Sequence, residues 1–322
     1  VSSLSMPMEL ESLYRKQVLE PKEEHTLRST ISKHKAITDT ISSKVQEQYE
    51  QNPYPRWMSL QLQPLPKSIT ELASELNLKI QDSSINGVNA PKVLIAGCGT
   101  GQQSISSAIR LKDCDVLAVD LSLNSLAYAK RKTEELQISN IEYMQMDILD
   151  VGEIRRKFDI IESVGVLHHM DDPMAGWKKL VERLNNGGLM NIGLYSESAR
   201  RHVVKIRDEI KKKNISLSDD DMKSFRSQIV NSEKEHHKHI KSSLDLYSMS
   251  SIRDLLFHVQ EHRFTIPQIK IYLEDLGLFF CGFDHPELSQ IINSDVLSIN
   301  NIYCLNEWEE FEIKNPHAFG GM

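Results

Sequence analysis

The chain has 322 residues, of which 40% are hydrophobic and 26% charged. That is enough for one large domain or two small ones with a real core, and it excludes a disordered tail. A formal net charge of −7 argues against a surface dedicated to coating nucleic acid. No apolar run approaches the roughly 18–20 residues of a membrane span.

Residues 1–10 lack the basic start and apolar stretch of a secretory leader. The chain opens on Val1 rather than Met, as a fragment or trimmed chain would. The four cysteines, Cys98, Cys114, Cys281 and Cys304, form no CxxC pair, which rules out a zinc ribbon or thioredoxin-type site. With no leader they fit a reducing cytosol, so the expected location is cytoplasmic, with all four as small buried residues.

In chain order, residues 1–48 read as helical, with Leu10, Leu13, Val18, Leu27 and Ile31 set among charges. Residues 49–67 read as loop, because Pro53, Pro55, Pro64 and Pro66 forbid a regular helix. Ser68 and Glu71 have capping-box spacing and open a helix through Leu78. Short apolar strands are predicted at 92–96, 115–119, 141–146, 158–166 and 189–195. Helices are predicted between them: 104–111, one capped by Ser122 and running to Leu136, and one begun by Pro173 with Met174, Trp177, Leu180, Val181 and Leu184 on one face. Strand–helix alternation of this kind means a parallel sheet covered by helices on both sides. Residues 196–265 are polar, charge-rich and helical, and 266–322 return to strand-like runs. The expected organisation is therefore an N-terminal helical segment with a proline-rich lid (1–67), a cofactor-binding core (68–195), a helical insertion on the acceptor side (196–265), and a final helix with edge strands (266–322).

The turn after the first strand reads Ala96-Gly97-Cys98-Gly99-Thr100-Gly101. A strand entering a glycine turn and then a helix brings backbone N–H groups close to a ligand. The dinucleotide pattern G-x-G-x-x-G is not met, because Gln102 stands where the last glycine belongs. This disfavours a nicotinamide oxidoreductase. Asp120 ends the second strand, where a carboxylate accepts ribose hydroxyls, and Leu121 beside it can pack on an adenine face. Asp147 follows the third strand, placed to accept from an adenine amino group, with Ile148 to cover the other face of the ring. Each feature alone is weak, since a lone acid at a strand end is most often a cap. Three strand ends that agree in order are a strong signal.

The stretches "VLIAGCGTG", "VLAVDLS", "MQMDILD" and "FDIIESVGVLHHMDDP", in this order and spacing, resemble class I S-adenosylmethionine-dependent methyltransferases over about residues 90–195. The resemblance implies an α/β doubly wound, Rossmann-like sheet of seven strands, with 278–283 and 299–305 as the last two. It also implies S-adenosylmethionine as cofactor and S-adenosylhomocysteine as product. By the same resemblance Gly97, Cys98, Gly99 and Gly101 hold the methionine and ribose parts, Asp120 is the ribose acid, Asp147 the adenine-edge acid, and Ser163 and Val164 line the cofactor near the methyl group. A narrower likeness, in "QYEQNPYPRW", "EHRFTIPQIKIYLEDLGLFFCGFD" and "EWEEFEIKNPHAFGGM", is to the methyltransferase part of bacterial enzymes fused to tetratricopeptide repeats.

Methyl transfer from a sulfonium is an in-line displacement in which the protein mainly positions the nucleophile and removes a proton where needed. His168 and His169 follow the fourth strand, where an acceptor would arrive, and are the candidate bases; the plainer reading is a loop histidine and a packing one. Tyr49, Tyr54, Arg56 and Trp57 form an aromatic and basic cluster that serves either as a lid and acceptor wall or as a hydrophobic anchor. Glu235-His236-His237-Lys238-His239 looks like a metal cluster, but its side chains do not share one helical face, so a solvated helix is expected and no metal is assigned. The basic run Arg200, Arg201, Lys205, Arg207 and Lys211 to Lys213 is expected to be an exposed face, with an anionic acceptor site as the alternative. The leading function is methyl transfer to an N, O or S atom of a small-molecule or peptide acceptor, with no membrane partner. The rival from another class is a catalytically inactive cofactor-binding regulatory or interaction module.

Overall fold

The computed structural model describes residues 7–61, 65–284, 299 and 301–321. The expected parallel sheet is present. It runs β1 (Ser32–Lys33), β2 (Lys92–Ala96), β3 (Asp115–Asp120), β4 (Ile141–Gln145), β5 (Phe158–Val164) and β6 (Leu184–Gly193), in the order β1-β4-β3-β2-β5-β6 with every pairing parallel. The contiguous apolar runs of β2 and β3 resolve into two buried faces, as strands covered on both sides require. Val93, Ile95, Val116 and Ala118 join one core with Leu126 and Ala127, while Leu94, Ala96, Leu117 and Val119 join a second with Trp177 and Leu180.

Thirteen helices can be labelled among the described residues. They are α1 (Met8–Tyr14), α2 (Glu20–Leu27), α3 (Thr40–Gln51), α4 (Ile69–Glu75), α5 (Gln102–Arg110), α6 (Leu123–Glu135), α7 (Pro173–Val181), α8 (Arg201–Lys213), α9 (Asp219–Val230), α10 (Glu235–Lys241), α11 (Met249–Phe257), α12 (Ile266–Asp275) and α13 (Leu305–Lys314). The predicted caps are in place. Ser68 and Glu71 close a capping box, Ser122 accepts from Ser125 N–H, and Pro173 is the first residue of α7 behind an Asp172 cap. Helices α8 to α11 carry a core of their own, built on Val203, Ile206, Phe225, Ile229 and Leu256.

Several expectations are corrected. The sheet has six strands among the described residues rather than seven, and one of the six, β1, falls in the stretch expected to be helical. Neither 278–283 nor the described residues of 299–305 form a strand: the first bonds through the Cys281 carbonyl to Lys79 N–H (2.8 Å), and Leu305 starts α13. A cavity of about 1180 Å³ lined by Leu72, Trp177, Met190, Leu273 and Phe280 separates that segment from β6. Leu184, expected on the face of α7, opens β6 instead. Helix α3 runs through Gln51, so Tyr49 is helical rather than in the proline loop; Pro53 acts only beyond the helix end. Finally, Cys98 and Cys114 are buried, whereas Cys281 and Cys304 are only partly so.

Candidate active site

The glycine turn between β2 and α5 owes its shape to left-handed backbone at Gly97, Gly99 and Gly101, with φ of +80°, +52° and +86°. It is also too crowded for side chains. A Cβ on Gly97 would lie 2.3 Å from Val166 Cγ2, and one on Gly101 would lie 2.6 Å from Ala129 Cβ. Cys98, between them, is buried. Gln103 turns to Glu162 of β5, donating at 2.5 Å.

Asp120, at the end of β3, faces this turn. Its Oδ2 accepts from Gly99 N–H at 2.8 Å and its Oδ1 from Ser122 N–H at 2.9 Å. Burial pushes its pKa up to about 6, the two backbone bonds pull it down, and the nearby Glu50 carboxylate adds to the rise. Asp147 follows β4, buried, and accepts from Leu149 N–H at 3.0 Å; burial raises its pKa as well. Ile148 is buried next to it, and Leu121 follows Asp120.

Helix α3 and the loop behind it cover these strand ends. Gln46 Nε2 donates to the Leu121 carbonyl at 3.0 Å, Glu50 Oε1 accepts from Leu123 N–H at 2.5 Å, and Asn124 Nδ2 donates to the Glu50 carbonyl at 2.6 Å. Trp57 is buried against Tyr128 and donates from Nε1 to the Thr100 carbonyl at 3.1 Å, while Thr100 Oγ1 donates to the Pro55 carbonyl. Trp57 is therefore an anchor of the glycine turn. Arg56 lies over the Tyr128 ring, 3.7 Å from Glu24. Tyr49 and Tyr54 turn the other way, to carboxylates of the helical segment: Tyr49 OH donates to Asp254 at 2.7 Å and Tyr54 OH to Asp245 at 3.5 Å.

Ser163 and Val164 close β5, and Ser163 Oγ is buried with no hydrogen-bond partner among the described residues. His168 and His169 follow in one helical turn and are both buried. His168 stacks on Tyr195 at 4.0 Å and has no partner on either ring nitrogen among the described residues. His169 stacks on His258 at 3.5 Å, and its Nδ1 lies 2.6 Å from the Gln260 carbonyl. A carbonyl only accepts, so Nδ1 carries the proton and Nε2 the lone pair. Burial holds both imidazoles neutral, pushing His169 down to about 4 and His168 well below its ordinary value.

Asp254, His258, Asp245 and Tyr195 complete this side of the site, and no sequence motif points to them. Asp254 and His258 stand four residues apart at the end of α11, the one spacing that hints at a shared face. His169, His258 and Asp254 each bring a ligand-type atom within 4.8 Å of the others. Because Gln260 N–H donates to His258 Nδ1 at 3.2 Å, the His258 proton sits on Nε2, which suits proton handling better than metal ligation. The expected solvated faces are also revised. His237 is buried, and Arg200 and Arg207 are bound to a buried carboxylate, Glu261, at 2.5 and 3.2 Å.

Residues 93–188 match the family model described as a methyltransferase domain. Over 114 residues the chain is 31% identical to a ubiquinone biosynthesis O-methyltransferase of Acinetobacter baylyi, covering 35% of this chain and 47% of that protein. It is 24% identical to an uncharacterized Synechococcus protein over 238 residues, covering 69% of this chain and 56% of the other. Among solved structures, PKMT2 from Rickettsia typhi in complex with AdoHcy is similar in fold, with a TM-score of 0.58 at 19% identity, over 78% of this chain and 52% of that one. The chain thus spans about half the length of these relatives. The fold is thus that of class I methyltransferases, and residues 93–188 match a methyltransferase domain within it.

Proposed function

We propose that the protein transfers the methyl group of S-adenosylmethionine to an N–H or O–H nucleophile of a small-molecule or peptide acceptor. The glycine turn fits the cofactor: Gly97, Cys98, Gly99 and Gly101 let its backbone approach, and the buried Ser163 Oγ, without a partner among the described residues, marks a polar group awaiting a ligand. Asp120 would take the ribose hydroxyls on lone pairs its two N–H bonds leave free, Leu121 and Ile148 would flank the adenine, Asp147 would meet its edge, and Val164 would lie near the methyl group. The bound cofactor supplies the activated methyl; the chain supplies position and proton removal.

The observation that carries the choice of acceptor is the neutral His169, whose Nε2 lone pair is fixed by the Nδ1 contact with Gln260. Beside it stand Tyr49, bonded to Asp254, and His168, which has no hydrogen-bond partner among the described residues. We assign His169 as the base, His168 as a polar wall for the acceptor, and Tyr49 and Tyr54 as the part of the lid that meets it. The N-terminal segment and the helices of 196–265 would then form the acceptor side of the core. The free cysteines fit a reducing, cytoplasmic setting. The resemblance of three stretches to tetratricopeptide-fused methyltransferases supports a relationship to those enzymes.

Calorimetric titration with S-adenosylmethionine, S-adenosylhomocysteine and NAD tests the cofactor. Micromolar binding of the first two, lost in Asp120→Ala, is expected; binding of NAD alone would sink the reading. Release of S-adenosylhomocysteine with amine and hydroxyl acceptors tests the chemistry. Tight binding with no turnover on any acceptor would instead fit an inactive binding module.

A further inference from the structure

Three histidines from distant stretches of chain converge away from the strand ends. His202 lies in the first turn of α8, His239 near the end of α10, and His317 in the turn after α13. One ring nitrogen of each lies within 4.8 Å of the other two. The rings are nearly parallel, with centroids 3.9 Å apart for His202 and His239, 5.2 Å for His202 and His317, and 5.0 Å for His239 and His317.

Their hydrogen bonding shows which nitrogens carry lone pairs. Arg201 donates to His202 Nε2 at 3.4 Å and to His317 Nε2 at 3.1 Å, and a guanidinium has only donors, so both nitrogens are unprotonated. His202 is buried, and its Nδ1 has no partner among the described residues.

We propose that His202, His239 and His317 bind one divalent transition-metal ion of the imidazole-preferring kind, such as zinc or nickel, with water completing the shell. Three nitrogens and no carboxylate or thiolate select against calcium and magnesium. His239 and His317 are exposed, so their rings can turn from stacking to coordination, and the exposed Arg201 can swing into solvent. The neighbouring group Glu209, His236 and His237 is a poorer candidate, because Lys234 at 2.8 Å already neutralises the carboxylate. An ion at the three histidines would tie the 315–321 turn to α8 and α10.

The test uses the chain without any affinity histidines, titrated with zinc or nickel chloride by calorimetry and with cobalt by visible absorption. One equivalent should bind. His239→Ala and His317→Ala should each weaken binding by at least the roughly 10–100-fold that loss of an outer-shell partner costs, and His236→Ala should leave it unchanged. These two exposed variants are the decisive ones, because His202 is buried and its replacement could disturb the fold. Zinc should also slow amide exchange in 315–321 of the wild type but not of His317→Ala. No stoichiometric binding, binding removed by His236→Ala instead, or exchange that zinc leaves unaltered would each overturn the proposal.

Discussion

The acids at the strand ends are the most legible residues of the site, because a carboxylate just past an apolar run is fixed in space by the strand before it. Asp120 and Asp147 need no knowledge of the remaining fold to be placed. Asp254, His258 and Tyr195 are not legible in this way: they reach His168, His169 and Tyr49 through contacts that span scores of residues. Asp120 also sets a pH dependence. With its carboxyl pushed up to about 6 by burial, it gains a proton as the pH falls through that value and loses the charge that would hold the ribose hydroxyls. Cofactor affinity should therefore be flat above about pH 7 and decline below about pH 6, with the limb abolished in Asp120→Asn at the cost of weaker binding throughout. Calorimetry across pH 5 to 8 measures both. A limb near 6 that survives in Asp120→Asn would assign it to another group, Asp254 being the nearest in value.

The strands of the core and the caps of their helices follow from pattern, since burial on both faces and N-cap chemistry are local properties. The expectation of two last strands rests on a family likeness and on strand-like runs in 266–322, and the described residues instead form a loop bonded to Lys79 and a helix from Leu305. The loop carrying Trp57 leaves two readings open in the sequence, lid or anchor, and the structure divides them by residue. Trp57 grips the glycine turn through Thr100, while Tyr49 and Tyr54 address Asp254 and Asp245. Trp57→Ala would remove a buried aromatic side chain and the bond to the Thr100 carbonyl. The expected loss is about 3–5 kcal/mol of stability, read by urea denaturation, together with faster amide exchange at Gly99–Gly101 if the variant folds. Unchanged exchange in that turn would show that the strand and α5 alone hold it.

Across the molecule, the core and the helices α8 to α11 meet through a short segment that is bonded on both sides. His262 N–H donates to the His168 carbonyl at 2.7 Å, Phe264 N–H to the Tyr195 carbonyl at 2.8 Å, and Glu261 binds Arg200 and Arg207 of the helical part. Glu261→Ala would leave two largely buried guanidiniums without a countercharge, at about 3–5 kcal/mol, and would loosen Gln260 and His258, which hold His169 by bond and by stacking. A variant that still folds should bind S-adenosylmethionine nearly as wild type, since the strand ends are untouched, while turnover falls. Equal loss of both would show that the two halves of the site are not separable.

The bonds from α3 to Leu121, Leu123 and Asn124 have a kinetic consequence. A cofactor seated against Asp120 would lie beneath a helix bonded to the stretch just after that residue, so spent cofactor would leave only when those bonds open. Chemistry and exit then become separate clocks. Rapid mixing with a competent acceptor should show a first methyl transfer approaching one equivalent per molecule, followed by a slower steady rate. Only the second phase should slow in viscous solvent, and Glu50→Ala should quicken it. A single phase indifferent to both would mean the helix moves freely on the timescale of the reaction.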